Sequence, residues 1–246
     1  MNAIEDNPWS QGFARLGEGL TGLRAILCIS AHWVTSGLKV TAQEQPKTIH
    51  DFGGFPRALY EVQYPAPGSP SVAAQIEKLL APHAVSLDTD WGLDHGTWSV
   101  LRHLRPNADV PVLQLSLDSR ATPEQLFALG QQLRPLREQG VLILGSGNIV
   151  HNLPHAFQNM RRGGEASPPA WATNFDRAVE RCLQEREPSR LSSLHLSPEG
   201  RVAHPTAEHY LPLLVACGAS TDNDTLSFPI QGFDLGSISM RSVRFG

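Results

Sequence analysis

The 246-residue sequence has only three cysteines, Cys28, Cys182 and Cys217, and they are widely separated. Each lies in an apolar strand or helix pattern, so we expect reduced core residues and neither disulfides nor a zinc–cysteine site. This cysteine usage favours a reducing cytoplasm. The polar start of the chain has neither the basic nor the apolar part of a signal peptide.

Long apolar runs and runs of basic charge are also absent. No apolar stretch approaches the ~20 residues that span a bilayer, so we expect no membrane partner. The formal net charge is -4 and basic residues form no run beyond Arg161-Arg162, which argues against nucleic acid as a partner. Neither a repeat nor a linker divides the chain. With 41% apolar and 18% charged residues, the sequence predicts one globular domain over 1–246.

What the chain does contain is an alternation of strand-like and helix-like segments. Apolar runs predict strands at 25–31, 38–42, 110–117 and 141–146. Two intervening helices have clear start signals, Ser69-Pro70 and Thr122-Pro123. The alternation predicts an α/β fold with a central mixed, mostly parallel sheet flanked by helices. Further along the chain we expect an exposed loop around 154–169, a helix capped by Thr206 and a strand over 237–245.

Histidines follow the ends of two of these strands. The run at 25–31 is followed by His32, and the run at 141–146 leads through a Gly-Ser-Gly turn to His151. Ligands collect outside the carboxyl ends of strands in α/β sheets, so both are candidate metal-site residues. His50, His95 and His209 adjoin glycine-rich turns or a helix start, where side chains converge on pockets. The remaining histidines are expected to be structural: His83, His103, His155, His195 and His204.

Five short blocks contain the candidate histidines. They are Ser-Ala-His-Trp at 30–33, Thr-Ile-His-Asp-Phe-Gly-Gly-Phe-Pro at 48–56, Trp-Gly-Leu-Asp-His-Gly-Thr-Trp at 91–98, Gly-Asn-Ile-Val-His-Asn at 147–152 and Thr-Ala-Glu-His-Tyr-Leu-Pro at 206–212. In this order the blocks resemble the class III extradiol ring-cleavage dioxygenases, specifically their 4,5-DOPA dioxygenase extradiol branch. The resemblance runs from Met1 to Gly246.

The resemblance implies a non-haem Fe(II) enzyme that cleaves a catechol-type ring, DOPA-like or related, with O2 to a muconate semialdehyde. By this resemblance His32 and His209 are metal ligands, and His151 is the acid/base residue, which can also touch the ion. His95 is a second catalytic histidine that contacts dioxygen or a substrate hydroxyl, and His50 lies on the substrate side. Zn(II) can occupy the same metal site.

The resemblance also raises expectations about Glu208 and about the start of the chain. Successive residues on a helix point about 100° apart, so only one of Glu208 and His209 can face the metal. Family sequences begin with a short apolar strand that ends in a Gly-His-Gly-Ser-Pro block, whose histidine is the first metal ligand. This first strand and first ligand are missing here, and two protein ligands make a weak site. We therefore expect Met1 to be an internal methionine with coding sequence for that strand upstream.

Two other functions compete with ring cleavage at this stage. A zinc-dependent hydrolase would also use histidines around an open metal position, but the sequence has no His-Glu-x-x-His motif. A non-catalytic binding protein on the same fold is the second alternative. Arg57 and Arg241 are the candidate partners for a carboxylate on the substrate.

Overall fold

A computed structural model of the chain describes residues 2–81, 83–164 and 166–246. The expectation about Met1 lies outside these ranges, as does Glu165 of the predicted loop. The helices are α1 Pro8–Glu18, α2 Arg57–Tyr60, α3 Pro70–Leu79, α4 His95–Leu104, α5 Pro123–Glu138, α6 Leu153–Arg161, α7 Ala170–Gln184, α8 Pro188–Leu194, α9 Pro198–Ala203 and α10 Leu211–Ala219. The strands are β1 Ala25–Ser30, β2 Val34–Thr35, β3 Lys39–Thr41, β4 Ser86–Asp88, β5 Val112–Gln114, β6 Leu117–Asp118, β7 Val141–Ser146, β8 Leu226–Ser227, β9 Phe233–Asp234, β10 Ile238–Ser239 and β11 Arg244–Phe245.

The centre of the molecule is a parallel sheet of three strands in the order β5-β1-β7. Every residue of β1 is buried, as expected for a parallel strand covered on both faces. Leu27 and Ile29 face a core that includes residues of α3, α5, α7 and α10, whereas Ile26 faces a second core that includes residues of α4. The predicted α/β class with a parallel sheet flanked by helices is confirmed. No helix in the described ranges combines the length and the apolar character needed to cross a membrane.

The two helix starts predicted from Ser-Pro and Thr-Pro pairs are confirmed. Ser69 Oγ accepts a hydrogen bond from the Val72 N–H at the start of α3. Thr122 and Gln125 form a reciprocal capping box at the start of α5. Both caps satisfy backbone donors that have no partner inside the helix.

The predicted loop at 154–169 is wrong over its first half, where α6 extends to Arg161. The glycines and prolines of 163–169 suggested a loop, but they follow the helix and do not interrupt it. Asn152 caps α6 by accepting the His155 N–H, and Pro154 lies in its first turn. Both are ordinary helix-start signals.

The C-terminal prediction of one strand over 237–245 is also wrong. β10 pairs antiparallel with β9, and β11 pairs antiparallel with β8, so the segment is divided between two small sheets. The helix predicted after Thr206 begins as a 3₁₀ turn over Ala207–His209 and continues as α10. The Thr206 side chain does not cap it but donates to Glu208 Oε1.

One edge of the central sheet is open. The N–H of Ala31 donates to Ser146 O and that of Arg24 donates to Gly140 O, so the even-numbered residues of β7 bond to β1. The N–H and C=O groups of Val141, Ile143 and Gly145 therefore point the other way, where no strand of the described chain pairs with β7. A groove of about 560 Å³ runs along this edge and reaches His209 at one end.

Candidate active site

Four of the five candidate histidines converge beyond the carboxyl ends of β1 and β7. These strands end in register, with Ser30 opposite Ser146, so the turns that follow bring His32 and His151 to the same edge. The ring centroid of His32 lies 3.9 Å from that of His95 and 5.0 Å from that of His209. The rings of His151 and His209 are stacked, with centroids 3.4 Å apart and planes within 10°. The cluster is therefore continuous from His95 to His151.

A buried carboxylate, Asp94, ties the strand end of β1 to the start of α4. Its Oδ1 accepts hydrogen bonds from Ser30 Oγ at 2.8 Å and from the Thr97 N–H at 3.0 Å, and Gln114 Nε2 donates to Oδ2. Ser30 Oγ in turn accepts the His32 N–H at 3.2 Å. His95, the first residue of α4, is thereby held beside His32.

Gly96 allows this close approach because it has no side chain. A Cβ at this position would lie 2.6 Å from Ser30 Oγ and 2.8 Å from His32 Cδ2. The Gly96 carbonyl also accepts a hydrogen bond from Ser146 Oγ at 2.6 Å, which joins the turn to β7. A larger residue would therefore force the side chains of Ser30 and His32, or the start of α4, to shift.

The second half of the cluster is held by the turns around His151 and His209. The His209 carbonyl accepts the Asn148 N–H at 2.9 Å, and a Cβ on Gly147 would lie 2.2 Å from that carbonyl. The His151 N–H donates to Ala203 O at 3.0 Å. The His209 ring is buried, whereas Glu208 is partly exposed and accepts from Thr206 Oγ1 at 2.6 Å. Only His209 of this adjacent pair belongs to the cluster.

Burial favours the uncharged form of three of the clustered imidazoles, those of His32, His151 and His209. It lowers the pKa of His209 to about 2 and that of His151 to about 4, and the neighbouring histidines lower both further. Burial also lowers the pKa of His32, with His95 acting in the same direction. Neutral imidazoles have the lone pair that a metal ion requires. His209 Nδ1 is buried without a hydrogen-bond partner in the described ranges, so this donor set fits a metal ion.

Asp51 is a site residue that the sequence did not predict. Its Oδ1 lies 3.0 Å from His95 Nδ1, and its Oδ2 lies 3.6 Å from His32 Nδ1. Burial alone would raise the pKa of Asp51, but its contacts with the backbone N–H and the ring of His95 outweigh burial and lower it. Among the described residues, the ligand atoms of His32, Asp51 and His95 all lie within 4.8 Å of one another. The ligand trio implied by the resemblance, His32, His151 and His209, does not meet at that distance.

His50 lies one aromatic layer away from the cluster. Its Nε2 is 2.9 Å from Val62 O, and its ring centroid is 5.8 Å from that of Phe52. Phe52 in turn contacts His95 edge to face at 5.3 Å. His50 could therefore act on the substrate only indirectly, through Phe52, or by contacting a substrate that extends past Phe52. Its place on the substrate side stays a prediction.

The two arginines suggested as carboxylate partners differ in availability. Arg241 is buried and already paired with Asp176 at 2.7 Å and with Glu180 at 3.1 Å, so its guanidinium is occupied by protein carboxylates. Arg57 is exposed near the aromatic layer and pairs with Glu61 within one helical turn. Of the two, only Arg57 remains accessible to a ligand.

Comparison with known proteins places the chain in one family. The family model described as catalytic LigB subunit of aromatic ring-opening dioxygenase matches residues 5–242. The 4,5-DOPA dioxygenase extradiol of Escherichia coli K12 is 45% identical over 250 residues, covering 100% of this chain and 91% of that protein. The enzyme of the same name from Beta vulgaris is 38% identical, covering 90% and 82%. The crystal structure of an uncharacterized protein from Escherichia coli K12 superposes with a TM-score of 0.85 at 39% identity, covering 99% of this chain and 94% of that one.

Proposed function

The chain belongs to the family of the catalytic LigB subunit of aromatic ring-opening dioxygenases, and from that premise we propose that it is an Fe(II)-dependent extradiol dioxygenase acting on a catechol. In this proposal O2 is used to break the ring bond next to the two hydroxyl-bearing carbons, not the bond between them. The product is a muconate semialdehyde. The substrate is DOPA-like, because the similar enzymes of Escherichia coli K12 and Beta vulgaris are 4,5-DOPA dioxygenases. The observation that carries the proposal is the convergence of His32, His95, His151 and His209 at one edge of the sheet.

We assign metal binding to His32 and His209. They approach edge to face from two different elements, and burial keeps both neutral. Non-haem Fe(II) held on one side by protein ligands supplies open coordination positions and the electron exchange that ring cleavage by O2 requires. His151, stacked on His209, lies close enough to this position to touch a bound ion.

We assign proton transfer to His151 and His95. Ring opening requires that a catechol hydroxyl loses a proton and that a proton is later returned, and a neutral imidazole can do both. His151 and His95 lie on opposite sides of the His32–His209 pair in the cluster. We give His151 the acid/base role and His95 the contact with dioxygen or a substrate hydroxyl.

The aromatic layer next to His95 supports an aromatic substrate. Phe52, Tyr60 and Trp98 surround His50 with ring centroids within 6.2 Å, and Phe52 contacts His95. Such a wall offers stacking and edge contacts to a catechol ring. We place the enzyme in the cytoplasm, because its three cysteines are buried free thiols suited to a reducing compartment.

The test is oxygen consumption by protein that has been loaded with Fe(II) without air and then mixed with DOPA, caffeate or protocatechuate. We expect one O2 to be consumed per catechol, with a new absorption band from the ring-opened product. Protein loaded with Zn(II) is the matched control and should be inactive, since zinc cannot exchange electrons with oxygen. Ester hydrolysis by the Zn(II) form without ring cleavage by the Fe(II) form would favour the hydrolase instead. Catechol binding without turnover would favour a binding protein.

A further inference from the structure

The segment that carries Asp51 is fixed against the start of α4. Thr48 forms a parallel bridge with Leu93, and the Ile49 N–H donates to Leu93 O at 2.7 Å. Trp98 Nε1 donates to Ile49 O at 2.8 Å from within α4. The contacts to Leu93, just before α4, and to Trp98, within α4, therefore place Asp51 over His95.

The Asp51 carboxylate is shared between two histidines. Its Oδ1 accepts the backbone N–H of His95 at 2.8 Å and lies 3.0 Å from His95 Nδ1. The other oxygen, Oδ2, lies 3.6 Å from His32 Nδ1. The Asp51 side chain is only 17% exposed, and in the described ranges its ion-pair partners are these two histidines. No lysine or arginine of these ranges competes for it.

Within the described ranges, His95 Nδ1 has no other acceptor. It is buried, and its N–H is aligned with no hydrogen-bond partner among the described residues, so Asp51 Oδ1 at 3.0 Å is the acceptor within reach. Hydrogen bonds of catalytic groups are often poorly aligned before the ligands bind. The close carboxylate thus selects the side of the ring on which the proton resides.

We propose that Asp51 is a positioning residue that holds both His32 and His95 in the tautomer with the proton on Nδ1. A neutral imidazole has one N–H, and an ionised carboxylate can only accept, so Asp51 favours Nδ1–H on each ring: at His95 from hydrogen-bond distance, and at His32 through the attraction of its charge for the nearer N–H at 3.6 Å. The lone pair of each ring is then on Nε2, at the far side from Asp51. The Nε2 lone pair of His32 is then available to the metal, and that of His95 to dioxygen or substrate. This inference deepens the proposed function and rests on it for those two roles.

A direct ligand role for Asp51 is the competing explanation of the same distances. A carboxylate between two histidines would also suit non-haem Fe(II). The two roles differ in what an isosteric amide does. If Asp51 were a ligand, the amide would take away the anionic ligand of the metal and leave both ring tautomers as they are. If Asp51 orients the rings, the amide takes away their shared anionic acceptor and the tautomers change. The ring tautomers, which can be measured in the metal-free protein, distinguish the positioning role from the ligand role.

The experiment is long-range ¹H–¹⁵N NMR of the metal-free protein near pH 7.5, with His32 and His95 assigned by substitution. We expect both rings to be Nδ1–H tautomers in the parent protein and to shift toward Nε2–H in Asp51→Asn. Zn(II) and Co(II) affinity, measured by calorimetry, should fall by about 10–100-fold in Asp51→Asn, the usual effect of losing a carboxylate behind a metal-binding histidine. Asp51→Glu, which keeps the charge, should restore part of the affinity.

Asp118→Asn is the matched control, since Asp118 also accepts backbone N–H groups but lies on β6 and pairs with Arg120. It should change neither tautomer nor metal affinity. An Nε2–H tautomer for either ring in the parent protein would overturn the proposal, and this measurement does not depend on the folding of any Asp51 variant. Metal binding abolished in Asp51→Asn, with tautomers unchanged, would make Asp51 a ligand instead. If the expected tautomers are found but no catechol is cleaved, the proposed function fails while the orientation of both rings stands.

Discussion

The stacked rings of His151 and His209 show how burial suits this cluster to metal binding and proton transfer. Two imidazoles stacked at 3.4 Å cannot both be protonated without strong repulsion, and burial already lowers the pKa of each. One ring can therefore hold a metal while the other stays free for proton transfer. The backbone contacts that fix them are separate, because His151 is held by Ala203 and His209 by Asn148. Each ring can be removed without displacing the other.

We predict that His151→Ala retains most metal binding but loses ring cleavage. A residue that transfers a proton contributes about 10²–10⁴-fold to a rate without holding the ion. Metal content and turnover should be measured on the same preparation, with His155→Ala as a control on the nearby helix α6. Turnover of a good catechol at the parent rate would remove the acid/base role. Loss of the metal together with the activity would make His151 a ligand.

We predict that His32→Ala and His209→Ala each abolish Fe(II) binding, whereas Glu208→Gln has a much smaller effect. The two histidines are in the cluster, while Glu208 is partly exposed and hydrogen-bonded to Thr206. Anaerobic calorimetric titration of the three variants measures the difference. A larger loss for Glu208→Gln than for His209→Ala would reverse the ligand assignment.

The sequence could predict some site residues because local signals mark them. His32 and His151 follow apolar runs that become paired parallel strands, so their shared edge follows from strand direction. Asp51 has no such signal. Its partner His95 is 44 residues away, and they meet only because Thr48 pairs with Leu93. Contacts made by a single isolated bridge cannot be inferred from hydrophobic periodicity.

Strands, like site residues, were predictable only where a local sequence signal marks them. β1 and β7 were predictable because each is a continuous apolar run, and β7 matches its predicted bounds. The run at 110–117 instead forms two strands, β5 and β6, which pair with different partners. Hydrophobicity predicts that such a segment is buried, but only tertiary pairing decides where a strand ends.

The open edge of β7 leads to a prediction about an added strand. In the described ranges no strand pairs with the backbone groups of Val141, Ile143 and Gly145 that face the groove. An apolar strand parallel to β7 would satisfy them, and a histidine just after it would reach the end of the groove near His209.

We expect an extended chain, with a short apolar strand and a Gly-His-Gly turn placed before residue 1, to unfold at a higher temperature and to bind Fe(II) at least tenfold more tightly. The matched control carries the same extension with alanine in place of the new histidine. It should keep the gain in thermal stability and lose the gain in metal affinity. Equal metal affinity for both extended chains would show that the added histidine is not a ligand.

At the scale of the whole molecule, buried neutral histidines connect the site to stability. Besides the cluster, burial lowers the pKa of His204 to about 4, although its contact with Ile149 O acts in the opposite direction. His204 was expected to be structural, and it packs against Phe175 and Tyr210 beneath the His151 turn. In the unfolded chain these histidines titrate near pH 6.5, so folding excludes protons from them.

The metal-free protein should therefore lose stability as the pH falls from about 6.5 toward 4. In this window the unfolded chain binds a proton at His151, His204 and His209 that the folded protein does not, so the free energy of unfolding rises with pH and levels off above about pH 7.5. Each such histidine contributes a slope of about 1.4 kcal/mol per pH unit. Carboxylates such as Asp118 and Asp224, whose pKa values are lowered to about 2, act mainly below about pH 5, so the slope above pH 5 comes from the histidines. Urea unfolding at pH 5, 6, 7 and 8 measures the slope, and His204→Gln, whose amide can still donate to Ile149 O, should reduce it by about one proton. A slope of zero between pH 5 and 6 would mean that His151, His204 and His209 are already protonated in the folded state, so that the site does not hold neutral imidazoles for a metal. A slope that His204→Gln leaves unchanged would mean the same for the His204 ring.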